Sequence, residues 1–211
     1  MSILVDRLPK SVEIGGAEYQ INTGFRTSIL FEMLVRDKGI PDRVKIGVML
    51  RQYYPVIPPD EDAAIQKILW FFNCGKKKKK PDERNKTAKS FRKDKALYSF
   101  EQDAAMIYAA FLSEYGIDLQ DIEDLHWWKF SALFDALPDD TKIKQVMRIR
   151  GVDTSGLKKK EIKRLNDLKK YYALEDEETV DSRVKLAKRN ARMKEYVRRR
   201  MEEVRGKNVG T

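Results

Sequence analysis

The segment from Lys76 to Lys95 constrains the fold of this 211-residue chain more than any other feature. It reads KKKKKPDERNKTAKSFRKDK, with eleven basic residues, three acidic residues and a single large apolar side chain, Phe91. Such a stretch buries too little apolar surface to offset the entropy lost on ordering, and its like charges repel. We therefore predict a basic mobile linker over residues 76–95, between two parts that are richer in apolar residues.

Charge is unevenly distributed along the rest of the chain. The whole chain has 43 Lys and Arg residues against 33 Asp and Glu residues, a net charge of +10. Residues 1–75 and 96–150 nevertheless sum to −5, and the other basic excess lies in residues 151–211. A single cysteine excludes an internal disulfide, and a single histidine excludes a multi-histidine metal centre. No stretch approaches the roughly 18 apolar residues that a membrane span requires, so we expect no membrane association.

The apolar pattern predicts a mostly α-helical protein, with a helical bundle-like core and a small N-terminal β-hairpin. Two short alternating runs flank Gly15-Gly16, a turn typical of a hairpin. Apolar residues then recur at helical spacing. The predicted helices are Phe25 to Val35, Pro41 to Tyr53, Asp60 to Phe72, Ser99 to Tyr115, Asp121 to Leu137, Thr141 to Ile149, Lys158 to Tyr172 and Val180 to Val204. We assign residues 1–150, interrupted by the linker, to one core, and residues 151–211 to a charged C-terminal helical extension.

Several residues predict how these helices pack and end. Val44, Val48 and Tyr53 form the expected apolar stripe of the second helix. Ser99 with Gln102 three residues later is typical of a capping box. Gly75 is expected to terminate the helix that precedes the linker, since glycine readily adopts positive φ.

Few residues of this chain could carry catalysis. His126 is the only imidazole, and as a general base it would need a partner within reach. Its position beside two tryptophans favours a structural histidine instead. Cys74 precedes basic residues that could lower its pKa, but a buried, inert thiol is the favoured interpretation. With no phosphate-binding loop and no nucleophile elbow, we expect no enzyme, no catalytic residue, no metal and no cofactor.

Basic clusters give the best argument for nucleic acid. Lys76, Lys77, Lys78, Lys79 and Lys80 begin the linker, and Arg198, Arg199 and Arg200 lie near the C-terminus. Lysine and arginine side chains that neutralise phosphates give salt-sensitive binding without sequence preference. Neither cluster carries interleaved aromatic residues on which bases could stack. A basic nucleic-acid-binding accessory protein is therefore the alternative, and we regard nucleic acid as the less favoured partner.

The adjacent residues Trp127 and Trp128 allow two interpretations. Core packing is the simpler one, because tryptophan is seldom left on a surface. Consecutive helical residues point about 100° apart, however, so complete burial of both requires surroundings on two sides. One of the two could instead mark a surface for a protein partner, where tryptophan is enriched.

Three stretches of the sequence resemble a known family: ILWFFNCGK, YSFEQDAAMIYAAFLSEYGIDL and IEDLHWWKFSALFDALPDDTKI. The opening LVDRLPKSVEIGGAEYQINTGFR is similar as well, so the resemblance covers roughly residues 1–150. The family is that of the tail assembly chaperones of siphophages and prophages in Gram-positive bacteria, which are encoded beside the tape-measure gene. The LHWWKF core is the most specific part of the match.

This resemblance implies a non-enzymatic role in virion morphogenesis. Such chaperones bind the tape-measure protein, keep it soluble, help to recruit tail-tube subunits, and are absent from the mature virion. The expected location is the cytoplasm of the bacterial host. Further partners would be the tail-tube protein, an upstream-encoded chaperone and a second copy of the chain. Together with the aromatic-rich helices, the resemblance predicts a set of partner-binding side chains: Trp127, Trp128, Tyr108, Phe111 and Tyr115.

Overall fold

The computed structural model describes residues 3–76 and 96–174, together with positions 191, 195 and 198. All but the first residue of the predicted linker, and most of the predicted helix from Val180 to Val204, lie outside the described residues. The elements are, in order, β1 (Ser11–Ile14), β2 (Ala17–Gln20), α1 (Phe25–Arg36), α2 (Asp42–Tyr53), α3 (Glu61–Phe72), α4 (Ala104–Tyr115), α5 (Trp127–Asp135), α6 (Lys142–Gly151) and α7 (Lys159–Tyr171). A mostly helical fold with one N-terminal hairpin is confirmed.

The hairpin forms where the sequence predicts it. β1 pairs antiparallel with β2, in the register Val12 to Tyr19 and Ile14 to Ala17. Gly15 and Gly16 both have positive φ, as a two-residue hairpin turn requires. Val12 and Ile14 are buried on the inner face of the hairpin, which packs against α3.

The predicted helix from Asp121 to Leu137 is wrong at its start, because α5 begins only at Trp127. The backbone just before α5 pairs with residues 23–25 instead. Phe25 N donates to Leu125 O at 2.9 Å, and Trp127 N donates to Thr23 O at 2.8 Å, so this strand-like contact holds the chain extended. The Arg26 guanidinium also donates to the carbonyls of Leu119, Gln120 and Ile122.

The capping box predicted at Ser99 is wrong in one partner. Ser99 Oγ accepts from the backbone N–H of Gln102 at 3.3 Å, as expected. The reciprocal bond comes from Asp103, whose Oδ2 accepts from Ser99 N at 2.9 Å. This arrangement closes a turn over residues 100–103, and α4 starts after it at Ala104.

One continuous core contains side chains from both sides of the linker. At its centre is Phe130 of α5, which is fully buried. Its ring centroid lies within 6.2 Å of those of Phe25, Phe100, Phe111, Trp127 and Phe134. Rings from α1, α4 and α5 thus meet around one side chain, so neither part of the chain has a separate aromatic core.

A buried ion pair connects α6 to the residues that follow the linker. Arg150 donates to both carboxylate oxygens of Asp103, at 2.6 and 2.9 Å, and to Leu97 O at 2.9 Å. Its Nε donates to Tyr172 O at 2.6 Å, just beyond the end of α7. Arg150 therefore also anchors α7, and α6 crosses the predicted boundary at residue 150.

Candidate interaction surface

Both tryptophans lie in the core, where they join the two parts of the chain. Trp127 and Trp128 are each 5% exposed. The indole Nε1 of Trp127 donates to Phe72 O, and that of Trp128 donates to Phe71 O, both at 2.8 Å. These carbonyls belong to the last turn of α3, where backbone carbonyls have no N–H donor within the helix. Two consecutive indoles thus bind two consecutive carbonyls, which is why the sequence places the tryptophans side by side.

Gly75 is required at its position for two reasons. Its φ is +71°, which side-chain-bearing residues rarely adopt, and a Cβ there would lie 3.0 Å from the Trp128 ring. Cys74 before it also has positive φ and is half-buried. Burial raises the pKa of the Cys74 thiol, which agrees with an inert cysteine.

His126 is a structural histidine, as the sequence favours. Its Nδ1 accepts from Trp128 N at 3.1 Å and caps α5. Since Nδ1 accepts there, Nε2 carries the proton and donates to Pro9 O at 3.1 Å. Burial lowers the pKa of His126, because the charged imidazolium would be poorly solvated. Both ring nitrogens are engaged in holding the fold.

The other predicted partner-binding residues differ in how much surface they expose. Phe111 is fully buried and stacks on Phe130. Tyr108 and Tyr115 are partly exposed on α4. The Tyr108 hydroxyl donates to Asp118 Oδ2 at 2.9 Å, which raises the pKa of Tyr108, and the Tyr115 hydroxyl donates to Leu133 O. The structure therefore does not bring the five predicted residues together on one surface, and their role in partner binding stays a prediction.

The basic clusters lie mostly beyond the described residues. Lys76 is exposed, and residues 77–80 are not described. Arg198 is exposed and lies 3.5 Å from the carboxylate of Glu195, whereas residues 199 and 200 are not described. A contact of these clusters with a partner stays a prediction.

A groove lies between α1 and α2, and we call it the α1/α2 groove. It encloses about 240 Å³ and is lined by Phe31, Leu34 and Val35 of α1 and by Asp42, Lys45, Ile46 and Met49 of α2. Its floor is core: Phe31, Leu34 and Met49 are buried. Its walls are open, because Val35 is 51% exposed and Ile46 is 36% exposed.

Lys45 fixes the mouth of the groove. Its Nζ donates to Val35 O at 3.1 Å and lies 3.5 Å from the carboxylate of Asp42. The bond to Val35 O joins the last turn of α1 to the first turn of α2. The floor is held from behind, since the Phe31 ring packs edge-on against Tyr53 and Phe72. The groove is therefore preformed, with an apolar floor and charged groups at one side of its mouth.

Sequence reasoning missed this groove, and one position of the stripe predicted for α2 is wrong. Tyr53 is buried and Val48 packs against the core, as predicted. Val44 was expected to pack inwards, but it is 53% exposed, while Met49 and Leu50 are buried. The signal was present in the spacing of Ile46 and Met49 on α2 and of Phe31, Leu34 and Val35 on α1. Two apolar stripes wider than their contact leave part of each open to solvent.

The described part of the chain lacks two other kinds of feature. No group of three or more His, Cys, Asp or Glu side chains in this part of the chain could hold a metal ion. No helix there has the length and apolar character needed to cross a membrane.

The chain matches the model of a known protein family. The family described as Bacteriophage Gp15 protein matches residues 4–174. The match thus includes the hairpin and all seven helices named above, with both tryptophans and the α1/α2 groove. No curated protein and no solved structure matches the chain.

Proposed function

The chain belongs to the bacteriophage Gp15 protein family, and on that premise we propose that it is a tail assembly chaperone that binds the tape-measure protein. It would keep this client soluble in the host cytoplasm, help to recruit tail-tube subunits, and leave before the virion is complete. The resemblance of ILWFFNCGK, YGIDL and LHWWKF to such chaperones supports this proposal. A non-enzymatic role agrees with the only histidine being engaged at both ring nitrogens.

The α1/α2 groove is the observation that carries the proposal. Its volume of about 240 Å³ falls below the roughly 300–1,000 Å³ of small-molecule sites, which favours a few aliphatic side chains as the occupant. Amphipathic helices dock by laying apolar residues into such grooves. A long client with repeated apolar helical faces would be protected from self-association by copies of this chain bound along it.

Charged groups at the groove would orient the client. Lys45 and Asp42 lie at the mouth, on the α2 side, and the rest of the lining is apolar. A client helix that places apolar residues over Phe31 and Met49 could pair its own charged residues with Lys45 or Asp42. Surface pairs of this kind contribute little affinity, but they favour one orientation over the reverse.

The test is co-expression with the tape-measure protein of the same phage. We expect the wild-type chain to raise the soluble fraction of the client and to co-purify with it. Val35→Glu places a charge in the groove and should abolish co-purification. Val44→Glu is the matched control, because Val44 has nearly the same exposure as Val35 but does not line the groove.

Two outcomes would contradict the proposal. If the client gains no solubility and does not co-purify with the wild-type chain, the chaperone role is wrong. If the client binds and both glutamate variants bind it equally well, the role stands but the groove is not the site. Circular dichroism of both variants checks that the fold is retained.

A further inference from the structure

The outer face of α7 has a charge pattern that the groove proposal does not use. This face consists of Lys160, Lys163, Arg164, Asp167, Leu168 and Tyr171, which recur at helical spacing and line one shallow depression. Helix α7 as a whole has six lysine or arginine residues against two carboxylates, a net charge of +4. None of its residues is buried, and Tyr171 is 79% exposed.

The face is held in place from its other side. Lys169 Nζ donates to Val152 O at 2.5 Å, and Lys142 Nζ donates to the Tyr172 hydroxyl at 2.7 Å. The bond from Arg150 to Tyr172 O fixes the end of the helix. These contacts attach α7 to α6 and to the loop after it, so the outer face is presented on a fixed helix.

The order of residues along the face is uneven. Lys160, Lys163 and Arg164 occupy its first two turns, and Leu168 and Tyr171 occupy the last turn. Asp167 lies between the cations and the apolar end. From first to last residue the face spans about 16 Å, three turns of helix. Among these six residues the cations come first, the carboxylate lies in the middle and the apolar side chains come last, while the exposed Lys170 beside them adds a positive charge to the last turn.

From this pattern we infer that the outer face of α7 binds an acidic amphipathic helix of a protein partner. Acidic residues of that helix would pair with the cations, its apolar residues would pack on Leu168 and Tyr171, and a basic residue would face Asp167. Asp167 argues against nucleic acid, since a row of phosphates would meet a carboxylate midway along the face. The inference does not depend on the α1/α2 groove or on the identity of the client.

A peptide binding experiment with the full-length chain tests this inference. The probe is a labelled helical peptide of about 18 residues, with glutamates in its first turns, one central lysine and a leucine-phenylalanine pair in its last turn. A scrambled peptide of the same composition is the control. We expect fluorescence anisotropy to show binding of the probe at least about tenfold tighter than of the scramble.

Two variants with matched changes in net charge separate the face from the general basic character of the chain. Lys163→Glu with Arg164→Glu reverses charge on the outer face and should weaken probe binding at least about tenfold. Arg43→Glu with Lys129→Glu reverses one arginine and one lysine at exposed positions on α2 and α5, and should leave binding within about twofold. Equal losses in both double variants would overturn the inference.

A charge exchange at Asp167 gives the sharpest result. Asp167→Lys should weaken binding of the probe. Replacing the central lysine of the probe by glutamate should restore its affinity for this variant. If instead Asp167→Lys tightens binding of a DNA duplex that already outcompetes the probe, the face binds nucleic acid and the inference is wrong. Tighter binding to phosphatidylglycerol vesicles than to the probe would overturn it in favour of a lipid surface.

Discussion

Helices α5 and α7 expose their apolar residues to different degrees. The nine residues of α5 include four that are buried, namely Trp127, Trp128, Phe130 and Phe134. The thirteen residues of α7 include none that is buried, although its apolar residues also recur at helical spacing. Burial follows the surroundings: α5 lies among rings from α1, α3 and α4, whereas α7 packs on α6 and faces solvent on its other side.

This difference separates residues that specify the fold from residues that remain available to partners. The aromatic side chains with the most distinctive sequence pattern join α3 to α5, which lie on opposite sides of the linker in the sequence. The groove walls and the outer face of α7 are built from ordinary aliphatic and charged residues. A distinctive sequence motif therefore indicates a folding requirement here, and the candidate binding surfaces lie elsewhere.

The largest loss of stability is expected for a substitution in the buried helix α5. Trp128→Ala removes a ring that packs against Phe71 and Trp70, and leaves Phe71 O without its indole donor. We expect a loss of about 3–5 kcal/mol in the free energy of unfolding, measured by urea denaturation. Trp128→Phe keeps a ring and loses the hydrogen bond, so its loss should be smaller. A loss below about 1 kcal/mol for Trp128→Ala would show that α5 does not hold the two parts together.

A comparison of two aspartates is expected to give the next largest effect. Asp103→Asn leaves the buried guanidinium of Arg150 without a compensating charge, and should cost about 3 kcal/mol. Asp167→Asn makes the same change on the exposed face of α7, and should cost less than about 0.5 kcal/mol. Equal losses in the two variants would mean that α7 is as tightly integrated as the core.

A pH titration of stability examines the cap of α5. Burial lowers the pKa of His126 below its ordinary value of 6.5, so the unfolded chain binds a proton first as the pH falls. We expect the free energy of unfolding to decrease as the pH falls from 7 to about 5.5. Burial raises the pKa of Glu32, so protonation of that carboxyl group acts in the opposite direction. His126→Asn retains a cap acceptor but cannot titrate there, so this decrease should vanish. An unchanged pH dependence in the variant would assign it to another group.

The smallest loss of stability is expected for a substitution in the exposed helix α7. Tyr171→Ala removes a side chain that is 79% exposed and packs edge-on against Tyr172. We expect less than about 0.5 kcal/mol loss in the free energy of unfolding, together with measurably weaker binding of the acidic peptide probe. A loss above about 1 kcal/mol would show that Tyr171 supports the fold, and would contradict the distinction between a fold-specifying α5 and an available α7.

Local patterns predicted much of the fold. Gly15-Gly16 specified the hairpin turn, and Asp60 caps α3 by accepting from Ala63 N at 2.9 Å. These features depend on a few neighbouring residues, which a sequence shows directly. The start of α5 could not be predicted, because the contact of Leu125 and Trp127 with residues 23–25 spans about a hundred positions of the chain.

The candidate site was predicted much less well than the fold. An aromatic-rich sequence favours both a core and a binding surface, and only the structure shows that Trp127, Trp128 and Phe111 are buried. The α1/α2 groove depends on how α1 and α2 pack against each other, which their separate apolar stripes do not specify. That packing, and not hydropathy, leaves Val44 exposed and buries Met49.

Hydrogen exchange of the full-length chain, alone and with the tape-measure protein, tests the central claim most directly. If the client occupies the α1/α2 groove, amide exchange should slow over residues 31–49 by at least about tenfold, and the already protected α5 should change little. Exchange that slows only in α4, around Tyr108 and Tyr115, would place the client on the predicted aromatic residues instead. No change anywhere in a mixture at high concentration would contradict the proposed chaperone role.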